Sequence, residues 1–346
     1  MRKLNWVKML VAAATIGLST GFAHGEGDGL TKVTLALGWL RNGQYASILA
    51  ADAMGYFKDE GIKLELIDGG PGKSPVSFVG VGKADFGIHG PTFVFSARVA
   101  PAPVDVVCIG ALNQKYSYAY ITLGKPSDPD PTPKDMEGKT IGIQSDGEMF
   151  LKGLAEANNL DMSTMKIRTV QGGAEPLLTG AVDFISGHIH NQTYQVELEA
   201  SKPDAPANLK GKTWKALKLS DYGMDSYGDV IFTSGKMLKE KPDLVRHFLK
   251  AAARGVKLMQ DDPEKVAELA AKYPGQIETL DKIRWRMPIQ NSLSVSEDTR
   301  TKGFLWMRPE VWDKQMKFYH DNGQISHVIP AAEVMTNEFN PGIKSK

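Results

Sequence analysis

What most constrains this chain is a unit that it spells twice, about a hundred residues apart. Each copy is a short apolar strand running into a double glycine, then a helix, then Gly-x-x-Asp-Phe opening another strand. The first reads Lys63-Leu64-Glu65-Leu66-Ile67-Asp68-Gly69-Gly70, followed by Gly82-Lys83-Ala84-Asp85-Phe86-Gly87-Ile88. The second reads Lys166-Ile167-Arg168-Thr169-Val170-Gln171-Gly172-Gly173, followed by Gly180-Ala181-Val182-Asp183-Phe184-Ile185. Solenoid repeats are shorter and recur many times, so this period predicts two similar α/β lobes facing each other. Two facing lobes enclose a cleft, and a cleft holds a ligand.

A further strand and helix precede each double glycine. Val33 to Leu37 reads as a strand, Gly38 to Gly43 as a loop, and Ala46 to Met54 as a helix that stops at Gly55-Tyr56-Phe57. In the second half Thr140 to Ile143 is the strand, Gln144 to Gly147 the loop, and Glu148 to Ala157 the helix. Strand and helix alternating in this way predict a mostly parallel sheet flanked by helices in each lobe. The chain is expected to cross between lobes twice, near Tyr118 to Thr122 and near Tyr222 to Val230, so that two crossover strands form a hinge. Lobe 1 is then 30–121 plus 229–346 and lobe 2 is 122–228. The tail is helical: Pro242 and Asp262-Pro263-Glu264 open two helices, and Pro309 opens another that Asn322-Gly323 closes, all expected to buttress the lobes.

The first residues carry Arg2, Lys3 and Lys8, an apolar run from Met9 to Leu18, and a small-x-small ending at Gly21-Phe22-Ala23. That pattern predicts a cleaved secretory signal over 1–23, with the mature protein in the periplasm. A membrane span needs roughly 20 apolar residues, more than this run supplies. No cysteine stands near the cleavage point to take a lipid anchor. Cys108, the only cysteine, lies in an apolar run and reads as a buried thiol, so neither a disulfide framework nor a cysteine metal cluster is expected. Net charge is +1 without a basic block, which gives a nucleic-acid backbone nothing to bind.

Ligands in open α/β sheets bind at the carboxyl ends of the strands. That rule selects the loops 38–45, 69–74, 89–92 and 113–116 in lobe 1, and 144–148, 171–175 and 188–191 in lobe 2. The ligand-binding candidates on them are Trp39, Asn42, Gln44, Gly70, Ser74, Thr92, Asn113, Gln144, Ser145, Gly172, Glu175, His188 and Asn191. Trp39 beside amide donors suits a planar heterocycle, which needs stacking plus in-plane hydrogen bonds; the alternative is a tryptophan capping its own lobe's core. The double glycines allow close backbone approach and aim N–H groups of the following helix at an anion or carbonyl, or are plain turn glycines. Gly70-Pro71-Gly72-Lys73-Ser74 looks like the end of a phosphate loop, but Ile67 stands where that motif needs glycine. His188 and His190 share one strand end without a third metal ligand, so hydrogen-bonded histidines are expected and no metal. Asp85 and Asp183, matched in place, read as turn-forming residues and not as paired catalytic acids. No nucleophile elbow or Ser/His/Asp order is present.

The signal sequence, Trp39-x-x-Asn42, Gly55-Tyr56-Phe57, Gly82-x-x-Asp85-Phe86-Gly87 with its echo, and Trp306 with Trp312 in the helical tail together resemble a known family. It is the type II periplasmic solute-binding proteins of the thiamine-precursor, riboflavin, nitrate, sulfonate and taurine importers. The resemblance implies a monomeric binding protein with no cofactor and no catalytic residues. Such a protein captures a small solute by hinge closure and delivers it to an ABC transporter permease, and indirectly to its ATPase. The Trp-x-x-Asn loop is most similar to that of thiamine pyrimidine-precursor binders, which implies Trp39 stacking on a ring with Asn42 and Asn191 as polar partners. The acidic residue those binders carry shortly after the position of Asn191 is displaced here to Glu197, which leaves riboflavin-like and other aromatic solutes open. A sulfonate, taurine or nitrate ligand implies instead Arg41, Lys73, Ser74 and helix N-termini. Eukaryotic relatives of the fold that synthesise the pyrimidine look like iron-using proteins with a cysteine-rich run, which this chain lacks. A sensor subunit working through a receptor is a further alternative.

Overall fold

The computed structural model describes residues 29–345 apart from Pro71, Ser145, Asp146, Gly172 and Asp225; the expected leader, with Ser145 and Gly172 of the candidate site, lies outside the described residues. The chain runs β1 (Thr31–Leu37), α1 (Ala46–Ala53), α2 (Tyr56–Asp59), β2 (Ile62–Ile67), α3 (Pro75–Gly80), β3 (Phe86–His89), α4 (Pro91–Arg98) and β4 (Val106–Ala111). It continues through β5 (Tyr118–Gly124), β6 (Thr140–Ile143), α5 (Gly147–Asn158), β7 (Lys166–Thr169), α6 (Glu175–Leu178), β8 (Phe184–His188), α7 (Gln192–Ala200) and β9 (Thr213–Lys218). It returns with β10 (Val230–Ser234) and ends in α8 (Gly235–Glu240), α9 (Pro242–Asp261), α10 (Pro263–Ala271), α11 (Leu280–Leu293), α12 (Glu297–Thr301), α13 (Pro309–Asp321) and α14 (Ala331–Val334).

Two five-stranded sheets result, ordered β2-β1-β3-β10-β4 and β7-β6-β8-β5-β9. β1 pairs in parallel with β2 and β3, and β6 with β7 and β8. The strands that return from the other half, β10 and β5, are the reversed ones, each antiparallel to both of its neighbours. Each sheet is therefore mostly parallel with one crossing strand inserted next to its edge strand. β5 belongs to the second sheet from Tyr118 onward, so the boundary drawn at 121/122 falls inside a strand whose pairing begins earlier.

The repeat extends to individual hydrogen bonds. Asp85 Oδ2 accepts from Thr34 N at 2.8 Å, and Asp183 Oδ2 accepts from Thr140 N at 2.8 Å. The same aspartates donate their own N–H back to those threonines' carbonyls, at 2.9 and 2.8 Å. Each Asp carbonyl in turn accepts a threonine hydroxyl from the crossing strand, Thr233 at 2.6 Å and Thr122 at 2.7 Å. The two aspartates thus pin the start of β3 and β8 to the central strand and to the crossing strand, which is the turn-forming role the sequence assigns them. Gly70 and Gly173 adopt φ of +124° and +126°, a region closed to other residues, so the second glycine of each pair is required by the same backbone path in both lobes.

Alternation along the strands divides each core in two. Val33, Leu35 and Leu37 pack with α1, α9 and α10, while Ala36 and Phe232 face the side that holds α4, α13 and Trp312. In the second sheet Tyr118 and Tyr120 pack with Phe150 and Leu154 of α5, and Ala119 and Ile121 with Leu177 and Val196. The tail helices form where their Pro-led starts place them, with Asp262 capping α10 through Lys265 N at 3.0 Å. They do more than buttress. Leu293 and Ile289 of α11 enter the core cluster of the second lobe, and Phe318 of α13 stacks on Phe150 of α5 with rings 6.2 Å apart. The two lobes are held against each other along both flanks of the strand ends.

Candidate functional site

The lobe-one wall is built where β1 and β2 end. A Cβ on Gly69 would lie 2.2 Å from the Leu37 carbonyl oxygen, so only glycine lets these two strand ends come together. That approach fixes the Trp39 backbone from both sides: its N–H donates to the Tyr45 hydroxyl at 2.9 Å, and its carbonyl accepts from Gly69 N at 3.0 Å. Trp39 is 46% exposed, so it is not sealed inside the lobe's core. Leu40 and Phe93 are also exposed, Leu40 beside Gly70 and Phe93 packed on the His89 ring at 3.7 Å between centroids. His89 ends β3 and its Nδ1 accepts from Gly90 N at 2.8 Å, and burial lowers its pKa to about 4, so the imidazole is neutral.

Below this apolar rim the loop turns polar. Asn42 is buried and caps the next turn, its Oδ1 accepting from Gln44 N at 2.9 Å. Gln44 Nε2 donates to Asp229 Oδ2 at 2.5 Å. The Asp229 carbonyl receives the N–H groups of Leu112 and Asn113, which ties the second crossing to the first. Asp229 is half-buried as a residue, and burial raises the pKa of its carboxyl against the opposing Gln44 bond. Burial also pushes the Tyr45 phenol well up, and the Asp229 charge adds to the shift.

The lobe-two wall is made by the ends of β6 and β8. His188 is held by Ser117 Oγ at 2.7 Å, and its N–H donates to Gln192 Oε1 at 2.8 Å. His190 is buried with Nδ1 unpartnered; burial, and then the positive charges of Arg286, His188 and Lys282, hold its pKa well below the usual range. Arg286 stands on α11, 1% exposed, with its Nη2 paired to Glu278 at 2.7 Å and its Nε unpartnered. Gln290, one turn further along, donates from Nε2 to the Gln44 carbonyl at 2.6 Å and leaves Oε1 without a partner. Alongside, Glu197 of α7 accepts from the indole N–H groups of Trp285 at 2.8 Å and Trp214 at 3.3 Å, while Tyr194 packs on Trp285 at 5.2 Å. The displaced acid thus serves as a link between the lobes.

The structure brings Trp39, Asn42, Gln44, Gly70, Thr92 and Asn113 to the end of one sheet, and His188 and Asn191 to the end of the other. Asn191 is exposed and opens α7 without capping it. Other candidate side chains have structural partners. Ser74 Oγ caps α3 through Ser77 N at 3.1 Å, and Gln144 Nε2 donates to the Ser186 carbonyl at 3.1 Å. Glu175 is exposed in the first turn of a helix of only four residues. Arg41 binds Asp68 at 3.0 Å and the Pro274 carbonyl, and Lys73 binds the Asp68 carbonyl at 3.0 Å, so the cations named for an anionic ligand are engaged inside lobe 1. Cys108 is fully buried in the first sheet, and no group of three or more His, Cys, Asp or Glu able to hold a metal occurs among the described residues. The donor set for a resident iron is not assembled by them. Sequence reading missed Asp229, Arg286 and Gln290. The available signal was a charged residue, Arg286, amid the apolar residues of a helix.

The NMT1/THI5-like family profile matches residues 42–266, more than half of the chain. The chain belongs to the NMT1/THI5-like family. A 4-amino-5-hydroxymethyl-2-methylpyrimidine phosphate synthase of Legionella pneumophila is 26% identical over 318 residues, covering 90% of this chain and 93% of its own. The riboflavin-binding protein RibY of Chloroflexus aurantiacus is 25% identical over 327 residues, covering 90% and 87%. Among solved structures, a putative periplasmic sulfonate-binding protein SsuA of an ABC transporter from Methylobacillus flagellatus has a TM-score of 0.64 at 16% identity, covering 90% of this chain and 93% of that one. This likeness shows the fold, the two-lobed periplasmic binding protein architecture.

Proposed function

We propose that this NMT1/THI5-like protein is the exported, periplasmic solute-binding component of an ABC importer. It clamps a small planar heterocycle between its lobes without transforming it and presents the closed form to a permease. One observation carries this reading: Trp39, its backbone fixed just after β1, keeps its side chain half-exposed in the same loop as the buried Asn42. Burying an aromatic face of that size supplies affinity, and in-plane polar groups supply orientation. The Legionella and Chloroflexus relatives are named for a pyrimidine phosphate and for riboflavin, both built on planar nitrogen heterocycles.

The name of the Legionella relative raises the alternative of an enzyme. The buried Cys108 and the absence, among the described residues, of a three-ligand cluster favour the binder. A sulfonate reading is disfavoured because Arg41, Lys73 and Ser74 are occupied by partners within lobe 1. Among the described residues no helix is long and apolar enough to cross a membrane. Closure requires contacts that exist only when both lobes engage the solute. Small-angle scattering of the mature protein should show a smaller radius of gyration with a saturating aminopyrimidine or flavin. Tight binding with unchanged dimensions would contradict the closure step.

A further inference from the structure

Where α5 of one lobe meets α13 of the other, the structure holds a second space, apart from the strand-end loops. It has a volume of about 390 Å³ including its open mouth, and both hinge connections line it: Tyr116 between β4 and β5, and Gly223 with Met224 between β9 and β10. Phe150 of α5 and Phe318 and Tyr319 of α13 close it from the two lobes, and none of the strand-end candidates is among its lining residues. The rings form a linked set. Tyr116 and Phe150 lie 5.7 Å apart between centroids, Phe150 and Phe318 6.2 Å, and Phe318 and Tyr319 5.6 Å. Gln315, 3% exposed, holds the α13 wall to the second connection by donating to Ser226 Oγ at 2.5 Å, so the space is preformed. A space of this size at a domain interface, walled by aromatic side chains with a few polar groups, has the usual form of a small-molecule site.

The charge at the mouth selects the ligand. Lys314 of α13 lines the space, is exposed, and makes no ion pair or hydrogen bond among the described residues, while no aspartate or glutamate lines it. We propose that this space is a second binding site, for a small aromatic monocarboxylate. Its ring packs among Tyr116, Phe150, Phe318 and Tyr319, and its carboxylate pairs with Lys314 at the mouth. An occupant bridges α5 and α13 and so ties one lobe to the other. Tyr116 also stands edge-on to His188, 5.7 Å between centroids, so one ring touches both this space and a strand-end loop. The site itself is independent of what the strand-end loops hold.

Titration calorimetry on the mature protein tests this with phenylacetate, with 2-phenylethanol, which keeps the ring and loses the charge, and with acetate, which keeps the charge and loses the ring. The wild type should bind phenylacetate about five-fold or more tighter than the alcohol, and acetate about ten-fold or more weaker than phenylacetate. Lys314→Glu, a change on the exposed side of α13, should abolish or invert the preference for the acid while leaving the alcohol within about two-fold of its wild-type affinity. Met224→Trp, which fills the space, should weaken acid and alcohol alike by about ten-fold or more. The wild-type ratios and Lys314→Glu stand by themselves if the tryptophan variant misfolds. No binding of phenylacetate, equal binding of acid and alcohol, or a preference that survives Lys314→Glu overturns the proposal.

Discussion

The two lobes share a skeleton and differ in the faces they turn to each other. Asp85 and Asp183 make the same three bonds, and Gly70 and Gly173 have φ within a few degrees of one another. At the strand ends the likeness stops. Lobe one displays Trp39, Leu40 and Phe93, while near the strand ends of lobe two polar side chains fold inward, Gln144 onto the Ser186 carbonyl and Gln195 of α7 onto Ala174 N. Bonds that repeat serve the fold, because each lobe must solve the same turn. Residues that do not repeat are free of that duty and are where recognition is built.

The largest expected effect falls on the unshared face. Trp39→Ala should weaken binding of the solute by about 3 kcal/mol, roughly a hundred-fold, with little change in thermal stability, since the indole already stands in solvent. Equal loss of stability would return Trp39 to the skeleton. Next comes the flank where α5 meets α13. A Cβ on Gly153 would lie 2.1 Å from the Phe318 ring, so Gly153→Val should wedge the lobes apart at a cost of about 2 kcal/mol to the apposed form. Scattering should show an enlarged particle, while the near-ultraviolet dichroism of the separate cores persists.

His89 gives an effect of up to about 2 kcal/mol. Burial lowers its folded pKa to about 4 from the ordinary 6.5, so the unfolded chain takes up a proton in this interval that the folded chain refuses. Stability is therefore full above pH 6.5 and is lost as pH falls toward 4. Denaturant titrations at pH 7 and pH 4.5 should differ less for His89→Asn than for the wild type; His190, shifted the same way, keeps the difference above zero.

A smaller contrast tests the shared skeleton itself. Asp85 is half-buried and Asp183 exposed, so Asp85→Asn should cost about 1–2 kcal/mol and Asp183→Asn less than about 1. Equal costs would show that burial does not grade the two. The smallest effect is expected at the α7–α11 flank. Trp285→Phe removes one partly exposed N–H bond to Glu197, worth about 1 kcal/mol or less, and should appear as a modestly faster solute release in stopped flow.

Much of the skeleton was legible because it is local. Double glycines, Gly-x-x-Asp-Phe steps and Pro-led helix starts each force a backbone conformation by themselves, and the strands β6 and β8 begin where the pattern places them. Trp39 was legible as an apolar side chain in a loop of glycines and amides. Asp229 and α11 were not. Asp229 gains its meaning from Gln44, nearly two hundred residues earlier, which no local pattern reports. α11 buries residues toward both lobes at once, Ile283 and Met287 into the first and Leu293 into the second, so it lacks the single apolar stripe of a buttress. Its Pro288 further disguises a helix in the sequence.

The central claim is that the two lobes close on a planar heterocycle and return it unchanged. Native mass spectrometry of the mature protein after prolonged incubation with excess 4-amino-2-methylpyrimidine tests it most directly. One unmodified solute per chain, recovered at its original mass with no product in solution, is the predicted result; a product that accumulates beyond one equivalent would contradict it.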